Sequence, residues 1–190
     1  MNTKNPRSLT SRIGTLILLS LGISLVPIAL ALDTAALDKE VSATLEKFYA
    51  INDQNKSLVS SAAGVLVFPS ITKAGVGVGG LHGDGALLEN GKTMGYYSTS
   101  AASVGLTLGV SRYSQVILFK TPEALNKFGA SKNWSAGADA SVAVVKSGAS
   151  GGYDTQTLNK PVLAFVFGEK GLMGDVSLKG AKINKLDTSK

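Results

Sequence analysis

The sequence contains no cysteine among its 190 residues. A chain without thiols forms no disulfide, no thiolate metal site, no cysteine nucleophile and no lipidated N-terminal cysteine. Histidine and tryptophan are also scarce, with one residue of each, His82 and Trp134. A single histidine leaves only carboxylates to complete a zinc site, so we predict no metal site. Stability must therefore come from the hydrophobic core.

Charge is also limited. The formal net charge is +6, and three of the cations precede residue 13 without any acidic residue before Asp33. Removing these three leaves about +3 for the rest of the chain. A small and dispersed surplus argues against nucleic acid as a partner, whereas it is compatible with an anionic lipid headgroup.

Residues 1–31 have the layout of a signal peptide. The three cations are followed by an apolar run that Pro27 interrupts and that ends with small residues at Ala29 and Ala31. This run is short for a helix that spans a bilayer. We predict cleavage after Ala31 and an exported protein, periplasmic or secreted and peripheral to a membrane. An uncleaved N-terminal anchor is the alternative, and residues 32–190 are expected to form a single domain.

The rest of the chain shows two different spacings of apolar residues. Apolar residues recur at three- and four-residue steps through residues 38–61, which predicts one or two amphipathic helices. After Gly64 the apolar period approaches two among many glycines, and Asn90-Gly91 suits the type I′ turn of a β-hairpin. A hydroxyl at Thr121 followed by proline predicts a short helix near 121–130.

Additional strands are expected at 103–109, 115–119, 138–145, 161–167 and 178–183. We therefore predict an α+β fold with a strongly curved antiparallel β-sheet or partly closed barrel. N-terminal amphipathic helices and the one short helix complete it.

Two motifs suggest enzymes but lack the structural context those enzymes need. Residues 75–80 satisfy G-x-G-x-x-G, yet two more glycines follow within five residues, where a dinucleotide site requires a helix. Residues 148–152 match G-x-S-x-G around Ser150, but no helix start follows the serine. We predict a non-enzyme without a cofactor and keep a hydrolase built on Ser150 or His82 as a competing hypothesis.

Trp134 lies between the predicted short helix and the next strand. A large aromatic residue at such a place is either at the edge of the core or an anchor at a membrane interface. Lys127 and Lys132 lie nearby and would favour anionic lipid in the second case. The sequence leaves both roles open.

Residues 63–86, with Pro69, the Lys73-Ala-Gly triplet and the spaced glycines, resemble the opening of the SYLF domain. The resemblance continues through residues 103–109, 116–119, 136–143, 170–174 and 177–180, and covers nearly all of residues 32–190. SYLF domains are known as lipid-binding, in eukaryotes with a phosphoinositide preference and links to actin. The resemblance implies lipid binding, whereas actin is not an expected partner of an exported member.

Two positions depart from the family's usual pattern. Val145-Lys-Ser-Gly replaces a small Gly-Pro turn and its following basic residue, and Lys179 stands where an acid is common. The headgroup preference is therefore left unassigned.

Lys73 and Lys170 follow two similar segments, Val-Leu-Val-Phe at 65–68 and Val-Leu-Ala-Phe at 162–165. These segments are either distant copies or a repeated strand-then-turn pattern. The glycines serve either turns and close strand crossings or a backbone that approaches phosphate oxygens. In the second case we expect Lys73 and Lys170 to contact the headgroup. The full set of candidate lipid-binding residues is Lys73, Lys170, Lys179, Trp134, His82 and Lys132.

The predicted function is non-catalytic binding to anionic membrane phospholipid, with Trp134 or the helices of residues 38–61 entering the interface. The alternative is an envelope structural or carrier module that binds an apolar ligand or a protein partner.

Overall fold

The computed structural model describes residues 32–135, 141–146, 153–171 and 180–188. Within these ranges lie four helices: α1 (Thr34–Ile51), α2 (Gln54–Ser61), α3 (Pro122–Ala130) and α4 (Thr155–Leu158). The strands there are β1 (Gly64–Glu89), β2 (Lys92–Phe119), β3 (Val142–Lys146), β4 (Val162–Gly171) and β5 (Lys182–Lys185). The predicted α+β class with a curled sheet and an N-terminal helix is confirmed.

α1 begins at a well-defined cap and buries one face. The Asp33 side chain accepts a hydrogen bond from the backbone N–H of Ala36 at 3.0 Å, which satisfies one of the free donors of the first turn. Leu37, Val41 and Phe48 recur at helical spacing and are buried against the outer face of the sheet. The amphipathic pattern in the sequence therefore corresponds to a helix packed on strands.

β1 and β2 form one long antiparallel hairpin. Its turn is Asn90-Gly91, whose φ angles of 50° and 75° are both positive, as a type I′ turn requires. The segments 103–109 and 115–119, expected as two strands, are parts of the continuous strand β2. The hairpin prediction is correct, and its arms are longer than the sequence suggested.

The hairpin bends sharply near its middle. Val76 pairs with Leu108 but Val78 pairs with Val104, so the single residue Gly77, at φ 71°, faces three residues of β2. Beyond the bend β1 crosses its own first half, and a Cβ added at Gly85 would lie 2.2 Å from the Val67 carbonyl oxygen. Glycine at this position therefore serves a close strand crossing, one of the two roles considered from sequence.

The sheet order is β1-β2-β4-β3, with β5 paired to β2 through residues 97–100. β4 is antiparallel to β2, whereas β3 is parallel to β4, so the sheet is mixed at this edge. A parallel pair needs a crossover connection, and α4 lies between these two strands in sequence. The strand expected at 178–183 is observed as β5 at Lys182–Lys185, and residues 172–179 lie outside the described residues.

The inner face of the curled sheet is closed by α3. The Thr121 side chain accepts from the Ala124 N–H at 3.2 Å, and proline occupies the start of the helix, as the sequence indicated. Phe128 of α3 then stacks on Phe119 of β2, with ring centroids 4.7 Å apart. The outer face, covered by α1 and α2, carries the candidate site.

Candidate functional site

A groove with a volume of about 760 Å³ lies between α1 and the sheet. We call it the α1 groove. On the helix side it is lined by Glu40, Ala43, Thr44, Lys47 and Ile51. On the strand side it is lined by Pro69, Ser70, Arg112, Tyr113, Ser114, Phe167, Gly168 and Lys170. Its volume is typical of sites that hold a small molecule or one part of a larger ligand.

The helix contributes a second stripe of side chains, beside the one that enters the core. Glu40, Thr44, Lys47 and Ile51 follow one another at three- and four-residue steps, which places them along one side of α1. Ile51 at the far end remains 39% exposed. The helix therefore gives the groove one acid at its beginning, and a cation and an apolar side chain further along.

Three cations line the groove: Lys47 from α1, Arg112 from β2 and Lys170 from β4. Arg112 and Lys170 are direct partners across the two strands, so their side chains lie side by side on the same face. Within the part of the chain that the structure describes, no carboxylate forms an ion pair with any of the three. Adjacent like charges without a counter-ion destabilise a sheet, and a bound anion would relieve this repulsion.

One neighbour holds Arg112 in place. Its Nε donates to the hydroxyl oxygen of Thr72 at 3.3 Å, and Thr72 is its direct partner on β1. This bond uses one of the five guanidinium donors and leaves the terminal nitrogens for a ligand. The row Thr72, Arg112 and Lys170 thus crosses three strands on one face.

The wall between the cations is apolar or already hydrogen-bonded. Phe167 and Pro69 contribute apolar surface, and the Ser114 hydroxyl donates to the Pro69 carbonyl oxygen at 2.7 Å. Burial raises the pKa of Tyr113 to about 12, and the nearby Glu169 carboxylate adds to the shift. Tyr113 is therefore neutral at physiological pH. The groove combines three cations and one acid, Glu40, with apolar surface, and this net positive lining suits an anionic amphiphile.

A family model described as "Ysc84: Las17-binding protein actin regulator" matches residues 100–189. Residues 100–189 therefore match the SYLF family, as the resemblance of the sequence implied. The match spans just under half of the 190 residues and includes Arg112 and Lys170, whereas Lys47 and β1 precede it. No curated protein matches the chain.

Only one of the two lysines expected to contact the headgroup, Lys170, lines the groove. Lys73 is the partner of Ser111, and Lys170 is the partner of Arg112. Because consecutive residues of a strand point to opposite faces, Lys73 and Lys170 lie on opposite faces of the sheet. Lys170 therefore lines the groove beside Arg112, whereas Lys73 does not line it. Headgroup contact by Lys73 and by Lys170 stays a prediction.

The sequence left two roles open for Trp134, at the edge of the core or as an anchor at a membrane interface. The structure places it in the core. Its side chain is 6% exposed and contacts Phe119 and Phe128, with ring centroids 5.9 Å and 5.4 Å away. An interfacial anchor needs its ring at the surface, so the prediction of Trp134 as a lipid-binding residue is corrected.

The N-terminal helices were also expected to enter the lipid interface. α1 contradicts this expectation, because Val41 and Phe48 on its apolar face are 1% and 0% exposed. This apolar face packs against the sheet and is therefore not available to a bilayer. Among the described residues, no helix is both long and apolar enough to cross a membrane.

The remaining candidates lie outside the groove lining. His82 and Asp84 are two residues apart on β1, with Nε2 3.4 Å from Oδ1, and the histidine side chain is 67% exposed. Lys132 is exposed after α3. Lys179 and Ser150 lie outside the described residues. Within the ranges that the structure describes, no three His, Asp or Glu side chains group to hold a metal ion.

Sequence reasoning missed Lys47 and Arg112. Arg112 carried a usable signal, because it is the one arginine after residue 12. Lys47 carried none, because it is one of several lysines in a polar helical stretch. Only the packing of α1 on the strands shows which of these lysines lines the groove.

Proposed function

We propose that this SYLF domain protein is exported, is not an enzyme, and binds anionic phospholipid at a membrane surface. The observation that carries the proposal is the α1 groove, which is lined both by the cations Lys47, Arg112 and Lys170 and by apolar side chains. The SYLF family is known as lipid-binding and actin-linked, which supports the lipid partner in general terms.

The three cations suit a phosphate group. A guanidinium presents paired donors that match phosphate oxygens, and an ammonium adds a strong point charge. Each lysine or arginine near an anionic surface contributes about 1 kcal/mol to binding. Apolar atoms of Ile51 and Phe167 offer surface to the glycerol and upper acyl region of the same lipid.

Lipid is preferred to actin as the partner because of the proposed export. The basic and then apolar layout of residues 1–31 is that of a signal peptide, and an exported protein does not meet the cytoskeleton. The actin regulator in the family description is therefore not carried over to this chain.

An envelope carrier is the second candidate. The observation that favours it is the volume of the groove, about 760 Å³, together with its apolar wall. A carrier would retain a lipid through purification and show it in a native mass spectrum. It would not require affinity for intact vesicles.

Co-sedimentation with vesicles tests the proposed function. We expect the purified protein to bind vesicles of phosphatidylcholine with phosphatidylglycerol, and not vesicles of phosphatidylcholine alone. The variant Lys47→Gln, Arg112→Gln, Lys170→Gln should bind at least about tenfold more weakly, since it removes three cations from the contact surface.

A matched control separates the groove from net charge. Lys39, Lys92 and Lys160 are exposed and lie outside the groove lining. The triple Gln variant at these positions changes the net charge equally and should keep most of the affinity. Equal losses in the two variants would show that the groove has no special role, and absence of binding by the unmodified protein would refute the proposed function.

A further inference from the structure

Three valines are exposed where the β1-β2 hairpin bends. Val76, Val78 and Val110 are 79%, 65% and 57% exposed. We call them the valine apex. Single exposed apolar residues are ordinary, but three on one bend form a local apolar surface.

The bend itself explains why the valines are uncovered. Gly77, at φ 71°, lies between Val76 and Val78, and the register shifts there. A Cβ built on Gly77 would find no atom within 4 Å, so the described part of the chain leaves this side of the bend open. The valines of the apex are therefore exposed beside this open position.

The valine apex adjoins the cationic row of the α1 groove. Pairing between β1 and β2 is regular from Ala74↔Val110 to Thr72↔Arg112, so Val110 and Arg112 point to the same face. Two residues of a strand span about 7 Å. The apolar tip is thus followed, on the same face, by Arg112 and its neighbour Lys170.

We propose that the valine apex inserts into the acyl boundary of an anionic bilayer, while Arg112 and Lys170 contact the phosphate groups above it. This inference rests on the proposed function and names the surface that enters the membrane. The spacing between Val110 and Arg112 agrees with the roughly 5–10 Å over which interfacial elements bury their apolar face.

Charge selects a bilayer over a second copy of the chain as the occupant. A two-fold dimer through the valine apex would bring Arg112 and Lys170 of one copy towards the same residues of the other. Like charges brought together across an interface oppose association. An anionic surface instead attracts the cations and accepts the valines.

The first test replaces the valines without changing their shape. Threonine keeps the branched Cβ that suits a strand, so Val76→Thr, Val78→Thr, Val110→Thr should fold. We expect this variant to bind phosphatidylglycerol-containing vesicles at least about tenfold more weakly, because three apolar side chains no longer enter the acyl boundary. The control is Val144→Thr, at a valine of β3 that is 46% exposed, and it should bind as the unmodified protein does.

The second test uses the absence of cysteine, which makes a single introduced thiol the only labelling site. The environment-sensitive fluorophore NBD attached to Val78→Cys should shift to the blue, and brominated lipid should quench it. The same label on Val144→Cys should remain in water.

These outcomes separate the inference from the proposed function. Vesicle binding with an NBD label at position 78 that stays in water would overturn the inference and leave lipid binding by the groove intact. Failure of the unmodified protein to bind vesicles would overturn both. If the unmodified protein formed an oligomer, and the threonine variant were monomeric with the same vesicle affinity, the inference would be overturned. The valine apex would then be a contact between two copies of the chain.

Discussion

Arg112 connects the α1 groove, which it lines, to the valine apex, from which it is separated by one residue of β2. It hydrogen-bonds Thr72, lies beside Lys170 and follows Val110 by two positions on β2. Lys73 is one of the two lysines that the sequence favoured for headgroup contact. It lies on the opposite face from Arg112 because its partner Ser111 directly precedes Arg112 on β2. Composition and motif spacing can identify cations near glycines, but the face on which each cation lies depends on strand register.

Tyr113 offers a test at the residue scale. Burial raises its pKa to about 12, whereas an unfolded tyrosine titrates near 10. Between these values the unfolded chain has lost the proton and the folded chain has kept it, so the free energy of unfolding falls as pH rises. We expect Tyr113 to account for a loss of about 2 kcal/mol at about pH 11.5.

Urea unfolding at about pH 8 and pH 11.5 measures this loss. Tyr113→Phe removes the group and should lose less stability over that interval, while the other tyrosines contribute equally to both proteins. The same decrease in both proteins would contradict the burial effect.

At the scale of the elements, local signals predicted the local structure. The Asn90-Gly91 turn and the Thr121 cap of α3 depend on neighbouring residues alone, and both were found from sequence. The parallel β3–β4 pair and the crossing of β1 over itself depend on contacts between distant residues. A repeated glycine cannot by itself distinguish a strand crossing from a phosphate contact.

The strand crossing makes an element-scale prediction at Gly85. In Gly85→Ala the new Cβ would lie 2.2 Å from the Val67 carbonyl oxygen and 2.6 Å from the Phe68 ring, so backbone must move. We expect the free energy of unfolding to fall by about 3 kcal/mol in urea titrations.

The control for this prediction is Gly129→Ala in α3. A Cβ there meets no atom within 4 Å, and alanine favours a helix over glycine by about 0.5–1 kcal/mol. This variant should therefore gain stability. If both variants changed stability by a similar small amount, the close crossing would be disproved.

At the scale of the whole molecule, buried polar contacts join segments that the sequence could not connect. Asn55 of α2 is fully buried, donates to the Phe48 carbonyl oxygen at 2.7 Å and accepts from the Tyr153 hydroxyl at 2.7 Å. These bonds tie α2 to the end of α1 and to the segment before α4. An asparagine in a polar helical stretch gives no sign of such a role.

The candidate site was therefore only partly predictable. Lys170 was a candidate from the sequence, and the proposal of an anionic lipid partner rests mainly on its SYLF resemblance. The α1 groove did not, because it forms where one side of a helix meets strands that are distant in sequence. Arg112, Lys170 and Val110 of the valine apex lie on the same face of the sheet, which gives the molecule one candidate side for approaching a membrane.

The most direct test of the central claim is a titration of ¹⁵N-labelled protein with a soluble short-chain phosphatidylglycerol, followed by amide chemical shifts. We predict that the shifts concentrate at Lys47, Arg112 and Lys170, saturate with lipid, and are absent with short-chain phosphatidylcholine. Shifts spread evenly over the surface, or centred away from the α1 groove, would contradict the claim.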